Sequence, residues 1–471
     1  MKRATPLAWR RAAWALAGLF SLLPPAGAAG LVELWQAAAQ NDRGFALARA
    51  ARAAAQPKQD QADALWRPNV ALTAQLGLAA NETETRGARF AAPGFGAAEG
   101  AAFDTSVDHG IARRLSVSAV QPLYNPQRRA QQRQLSLAVD MAELELQSAG
   151  QALMLQTAER YFDLALAEAT LQAIAAQRDA VDRAATEARD RFTLGALPVT
   201  DTHEATARLA AIRAQALAAE SDASLKRQWL ADSTGLAPAA LTTRLPAASV
   251  AVAAPRPLDA WMADALDGNP TLRMHRLAVE VARAEAARHG VRASASIDLV
   301  AQASRERVSG HGDFGSASQA AATHQIGVML SVPLTTGGYR NAREDEAWRL
   351  ADQAVARVEA TRQQVGQQVR SAWAGLRIGA ERLRALDEAL VASEARREAT
   401  RLGRQVGDRT TQDLLLAESD HAAALLAVRQ ARVALALDRL RLAALAGRLD
   451  DTLLREIDAG LDPLPTSAGP G

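Results

Sequence analysis

Histidine is the first residue type to weigh for chemistry, and the spacing of the seven in this chain supports none. His109, His311 and His324 fall in or beside the connections between predicted strands, with no HExxH or comparable metal-ligand spacing. No phosphate-cradling P-loop, GxGxxG or nucleophile elbow occurs. A catalytic centre, a metal and a cofactor are therefore not expected, and an energy-consuming step must be supplied by partners. The informative polar residues sit in two runs of similar wording, RFTLGALPVTD ending at Asp201 and RQVGDRTTQD ending at Asp413. Each run carries a glycine and then a carboxylate at the start of a helical stretch. Asp201 with Glu204, and Thr410 with Asp413, have the spacing of helix N-caps and capping boxes. Gly195 and Gly407 suit left-handed helix C-termini.

These runs belong to a longer repeat. SVSAVQPLYNPQRR around Pro122 recurs as GVMLSVPLTTGGYRN around Pro333, and WLADSTGL at Gly235 recurs as LAALAGRL at Gly447. The offsets from Pro122 to Pro333, Asp201 to Asp413 and Gly235 to Gly447 agree to within one residue. A constant register over such a distance marks a tandem repeat. Both halves follow one order: helix, strand pair, very long helix, turn, helix.

The N-terminus has the layout of a secretory signal. Lys2, Arg3, Arg10 and Arg11 precede an apolar stretch from Ala12 to Leu23, and Ala26-Gly27-Ala28 is a small-residue cleavage site. Loss of residues 1–28 removes those four positive charges and turns the formal charge of +2 into −2. Only Lys2, Lys58 and Lys226 among the 54 basic residues are lysine, and no block of like charge suggests a nucleic-acid-binding arm. There is no cysteine, hence no disulfide and no acylated cysteine. The mature chain offers no apolar run of about 18 residues, which excludes a spanning helix and leaves a soluble exported protein or an outer-membrane β-barrel.

Residues 31–67 read as helical until Arg67-Pro68 ends the run, with Pro57 expected to kink or break it. The period then changes. Val70, Leu72, Ala74, Leu76 and Leu78 alternate with small or polar residues, predicting a strand over about 69–80. Residues 81–110 read as a long loop, and a second strand covers about 111–122. In the second half, strands are predicted over about 294–304 and 324–334, with a loop over about 305–323. Strands of about ten residues suit a tilted membrane crossing; a soluble hairpin packed on a helix is the commoner fate of such strands taken alone, and the export signal and the repeat raise the membrane reading.

From Gln127 to Thr193 there is no proline and only one glycine, Gly150. A helix over 127–193 would measure roughly 100 Å, and its counterpart covers 339–405. Return helices are expected over 201–234 and 411–446. Rods of this length need lateral packing in a coiled-coil-like bundle. A Pro-punctuated linker over 241–257 separates the first repeat, 29–240, from the second, 258–449, and 450–471 reads as an irregular tail. Two strands per half give four per chain. Four strands cannot close a barrel, and open edges are not tolerated in lipid, so several chains would have to pool them.

From Leu31 to about Gly447 the chain resembles the TolC-type outer-membrane channel family. The most specific parts are QPLYNP and VPLTTGG at the strand exits, and FTLGALPVTD and RQVGDRTTQD at the helix turns. The resemblance implies a mixed fold, mainly α with membrane β. It implies a homotrimer whose twelve strands form one barrel in outer-membrane lipid, continued by a helical periplasmic tunnel with a closable inner end. It implies docking to a periplasmic membrane-fusion adaptor and an inner-membrane ABC transporter or RND pump, for export of a protein or a drug. The missing acylated cysteine favours the export-type branch, and the wording is most similar to components that export a secreted adenylate cyclase–haemolysin toxin. Carried over residue by residue, Asp413 lines the inner entrance, and Asp201 and Arg409 are partners of closing bonds. Arg404 stands where the family has a gate tyrosine, and Leu416 where it has a second acidic ring. Trp66, Tyr124 and Tyr339, at the helix-side ends of strands, fit an interfacial aromatic belt, with core packing the equal alternative. The competing class is a periplasmic coiled-coil adaptor or scaffold, which explains the rods but not the strand pairs at matching places.

Overall fold

The computed structural model describes residues 30–94, 96–247, 256–290, 295–312 and 315–463. The expected signal peptide, part of the linker and the last residues of the tail lie outside them. The chain divides into two compact units. One holds residues up to 52, 143–274 and from 358 onward; the other holds 53–142 and 275–357.

The second unit is built on a four-stranded antiparallel sheet in the order β1-β2-β4-β5. Its strands are β1 (Asn69–Ala92), β2 (Gly96–Tyr124), β4 (Ser296–Gly312) and β5 (Gly315–Ser331). The segments read as loops, 81–110 and 305–323, are therefore largely strand. The ladder is made by backbone groups and continues from Asn81↔Val107 to Ala92↔Gly96 without apolar alternation to announce it. One face of the sheet carries Leu72 and Leu76 on β1, Val117 on β2, and Ile326 and Val328 on β5, all exposed. The other face carries Ser116, Ser118, Gln302 and Ser304. Arg114 and Glu306 are directly opposite on that polar face and bond at 2.5 Å.

The β1–β2 hairpin outreaches its neighbour and bends. Its register shifts between Ala79 and Asn81, and Gly310 packs so close to it that a Cβ there would lie 2.3 Å from the His109 carbonyl. Val107 and Val308 are buried at this elbow. Beyond it, Asn81 of β1 donates to Gln319 of β5 at 2.6 Å, although β1 and β5 are opposite edges of the sheet. Gln319 pairs in register with Val308, so the hairpin leans over the polar face.

The first unit is helical. It contains α1 (Leu31–Asn41), α4 (Val199–Thr234), α5 (Leu258–Gly268), α8 (Thr411–Leu445), α9 (Asp451–Ala459) and most of α3 (Pro126–Thr193) and α7 (Tyr339–Gln405). The helix α2 (Arg43–Ala64) keeps Pro57 inside it, and α6 is Pro270–His289. The main core joins Leu31 and Leu34 to Tyr161, Phe162, Leu230, Leu440 and Leu454. The described part of the tail, up to Pro463, is not irregular: α9 buries Leu454 and Ile457, and β6 (Leu461–Pro463) pairs with β3 (Arg244–Pro246). Apolar residues at helical spacing account for the difference, since they give α9 a face to bury. Asp458 fastens this corner by accepting from the Leu31 amide at 2.8 Å and from Arg244 at 2.9 Å.

Candidate functional site

The two helix turns named by the sequence come together in the first unit. The α3–α4 and α7–α8 hairpins end in the same way. At the first turn the Gly195 amide donates to Phe192 O and the Ala196 amide to Arg191 O. At the second turn Gly407 donates to Arg404 O and Asp408 to Gly403 O. Both are Schellman caps, and φ is +73° at Gly195 and +82° at Gly407, which glycine adopts without penalty. The residue before each glycine, Leu194 or Val406, is apolar and 82% exposed.

The helix starts differ. Thr410 caps α8, and the box is complete: the Asp413 amide donates to Thr410 Oγ1, and the Thr410 amide donates to Asp413 Oδ2, both at 3.0 Å. These bonds, first from the Thr410 amide and then from its hydroxyl, hold the Asp413 carboxyl below the usual range, aided by Arg409 and Arg396. Asp201, by contrast, is not an N-cap. Helix α4 begins two residues earlier, at Val199, with Pro198 in the cap position and no side-chain cap bond. Proline fixes φ near −69° and launches the helix without needing an acceptor. Asp201 sits in the first turn, where its charge favours the helix dipole.

Between the hairpins lies a cleft of about 500 Å³ whose lining includes Glu187, Asp201, Glu204, Arg404, Arg409 and Gln412. Arg404 bonds Glu187 at 2.7 Å, and Gln412 bonds Glu204 at 3.0 Å, so both pairs of helices are tied across the repeat. Glu187 also pairs with Arg191 at 2.8 Å. Asp201 and Arg409 share the cleft, but among the described residues no bond joins them. Arg409 lays its stem against Gly403 and reaches only Asp408, at 4.0 Å. On the other side of the α7–α8 hairpin, Asp413, Leu416, Arg396 and Arg409 line a second hollow.

Glu187, Glu204 and Gln412 were not singled out as site residues from sequence. For Glu187 the available signal was its charge, opposite to that of Arg404, about two turns before the glycine; Glu204 and Gln412 follow the glycines, and no local pattern pairs them. The three aromatic residues separate: Tyr124 and Tyr339 are 43% and 70% exposed at the ends of β2 and α7. Trp66 is partly buried and donates from Nε1 to Gln132 at 2.9 Å. No group of acidic residues and histidines able to hold a metal occurs among the described residues.

A four-stranded open sheet with an apolar face, in a chain of paired long helices, defines an outer-membrane channel component. Residues 34–236 and 261–448 match the family described as outer membrane efflux protein, and the chain belongs to it. It is 26% identical over 337 residues to outer membrane protein TolC of Vibrio cholerae, covering 70% of this chain and 77% of that one. It is 25% identical over 346 residues to alkaline protease secretion protein AprF of Pseudomonas aeruginosa, covering 73% and 71%. The fold is shared with the Campylobacter jejuni CmeC outer membrane channel, at TM-score 0.70 and 14% identity over 92% of this chain and 90% of that one. The chain is thus an outer-membrane efflux or secretion channel protein reaching into the periplasm.

Proposed function

We propose that three copies of this chain form the exit channel of a protein-export system, passively conducting a secreted protein from an inner-membrane transporter and its periplasmic adaptor to the medium. The observation that carries the channel reading is the sheet: apolar on one face, polar on the other, and open at β1 and β5. Open edges in hydrocarbon leave backbone groups without partners, so copies must join edge to edge. Three copies supply twelve strands, enough for a barrel. The similarity to a named protease secretion protein favours protein cargo. Drug efflux is the second reading, favoured by the description of the family. In this assembly the exposed Leu194 and Val406 offer apolar contacts to an adaptor, and the inner pore is lined by Asp413. Asp201 and Arg409, unbonded to each other within one chain, become available to a neighbouring one.

Deletion of the gene tests the cargo directly. Loss of one or a few proteins from the medium, with unchanged drug sensitivity, is the expected result. An unchanged medium with drug hypersensitivity would establish efflux instead.

A further inference from the structure

The apolar face of the sheet is interrupted by arginine. Arg113 of β2 lies directly opposite Arg307 of β4 in the ladder, and Arg305 follows two residues along β4 on the same face. All three are exposed, and among the described residues no ion pair or side-chain hydrogen bond engages them. The face is unambiguous: Arg113 pairs with Leu76 of β1, and Arg305 with Leu115 of β2, both on the apolar side. One residue along, on the polar face, Arg114 has Glu306 as its partner. The three outward arginines have none. Their register neighbours are Leu76, Leu115, Ala320 and Ala322, without a carboxylate.

Like charges directly opposite in a ladder repel, and diagonal neighbours about 7–8 Å away add to it. A sheet that keeps this arrangement needs a counter-charge from outside itself. β2 and β4 are the inner strands of the four, so a neighbouring copy joined at β1 or β5 does not cover them. In the proposed barrel what faces them is lipid. Within this unit α2, α3, α6 and α7 all attach at one end of the sheet; Arg305 and Arg307 lie in the turn-side half of β4, and Arg113 is level with Arg307 while the β1–β2 hairpin continues beyond them. In an outer-membrane protein reaching into the periplasm, the turn-bearing end is the cell exterior. Guanidinium forks match phosphate oxygens two at a time and stay charged at any physiological pH.

We propose that Arg113, Arg305 and Arg307 form a binding site for the phosphate groups of an anionic glycolipid in the outer leaflet. The site rests on the outer-membrane location and is independent of which cargo passes through the channel. Its occupant neutralises the Arg113–Arg307 pair and sets the depth of the sheet in the membrane.

The test uses the full protein in mild detergent, titrated with bis-phosphorylated lipid A, with its dephosphorylated form and with inorganic phosphate. Wild type should bind the phosphorylated lipid and discriminate against the dephosphorylated one. Replacing all three arginines by glutamine should weaken phosphorylated-lipid binding by roughly a hundredfold, at about tenfold or less per arginine near a charged surface. The triple lysine variant, which keeps the charge but loses the fork, should bind more tightly than the glutamine variant and more weakly than wild type. If the triple glutamine protein fails to fold, Arg307→Gln alone should still lose about fivefold. Equal binding by wild type and the glutamine variants would overturn the proposal, as would equal binding of the two lipids. Phosphate that competes as strongly as the lipid binds would mark a free-anion site and overturn the lipid assignment.

Discussion

Arg404, three residues before the glycine of the second turn, donates to Glu187, two turns before the glycine of the first, across 2.7 Å. The repeat is thereby closed on itself by residues that are not repeat equivalents. Both side chains are about one-third exposed, 35% and 33%. Solvent screening keeps the value of such a pair to chain stability at about 1 kcal/mol or less. Its larger consequence is for the position of the helix ends. Arg404→Ala is expected to raise single-channel conductance and admit a large antibiotic, with little change in melting temperature. A lower melting temperature with unchanged current would assign the pair to stability alone.

Asp413 separates charge from capping. Asp413→Asn keeps an acceptor oxygen for the Thr410 amide and removes the charge, so cation preference in planar bilayers should fall while the helix survives. Thr410→Ala does the reverse, costing about 1 kcal/mol of stability and leaving ion preference alone. Unchanged preference in Asp413→Asn would confine Asp413 to its capping box.

Glu285 on α6 predicts an acid-sensitive point. Burial pushes its carboxyl up, but hydrogen bonds from Gln134 and His289 and the Arg288 guanidinium outweigh this and hold it at about 2, against a usual 4.5. A depressed folded value means stability that is present above the unfolded value and lost as pH falls through the folded one. Melting temperature should therefore decline between about pH 4.5 and 2, and Glu285→Gln should flatten that decline while lowering stability at neutral pH. An equally steep curve in the variant would place the acid sensitivity elsewhere.

The absence of cysteine makes the edges easy to probe. Pairs of cysteines, one on β1 between Val70 and Leu78 and one on β5 between Ile326 and Leu330, clear of the Asn81–Gln319 contact, should form disulfides only between chains, because there the two strands are opposite edges of one sheet. Denaturing gels should then show a covalent trimer for pairs in register. A ladder that stops at the dimer would reject a closed ring of three.

At the elbow, Gly310→Val places a side chain where even a Cβ would lie 2.3 Å from a carbonyl oxygen. The β1–β2 hairpin should lift away from Gln319 and become accessible to external protease on whole cells, with the membrane part of the sheet still assembled. Protection equal to wild type would show that the hairpin is held by other contacts.

The long helices were legible because nothing interrupts them, and the two glycine turns because a left-handed C-cap has few alternatives. The strands were legible only in their alternating helix-side parts, from Val70 to Leu78, Leu115 to Gln121, Ile297 to Ala303 and Ile326 to Leu330. Beyond those parts the ladder rests on backbone hydrogen bonds, to which composition is blind, and residues 81–110 looked like a loop. Asp201 was misread as a cap because Pro198 starts α4 without needing one. Arg404–Glu187 and the Arg113–Arg307 pair join residues from different repeats. Register between distant strands and helices places them, and no local pattern does.

Two unpaired edges also give folding of the sheet a reaction order. In the proposed trimer, a solitary copy would have the side chains for a membrane face but not the hydrogen bonds to inhabit one, so its strands would gain their stability on meeting others. The fraction assembled then depends on the number of chains in the periplasm as much as on sequence. Dilution acts on such a protein as a denaturant does on a monomer, and a cell making too few copies would hold unassembled chains exposed to its proteases.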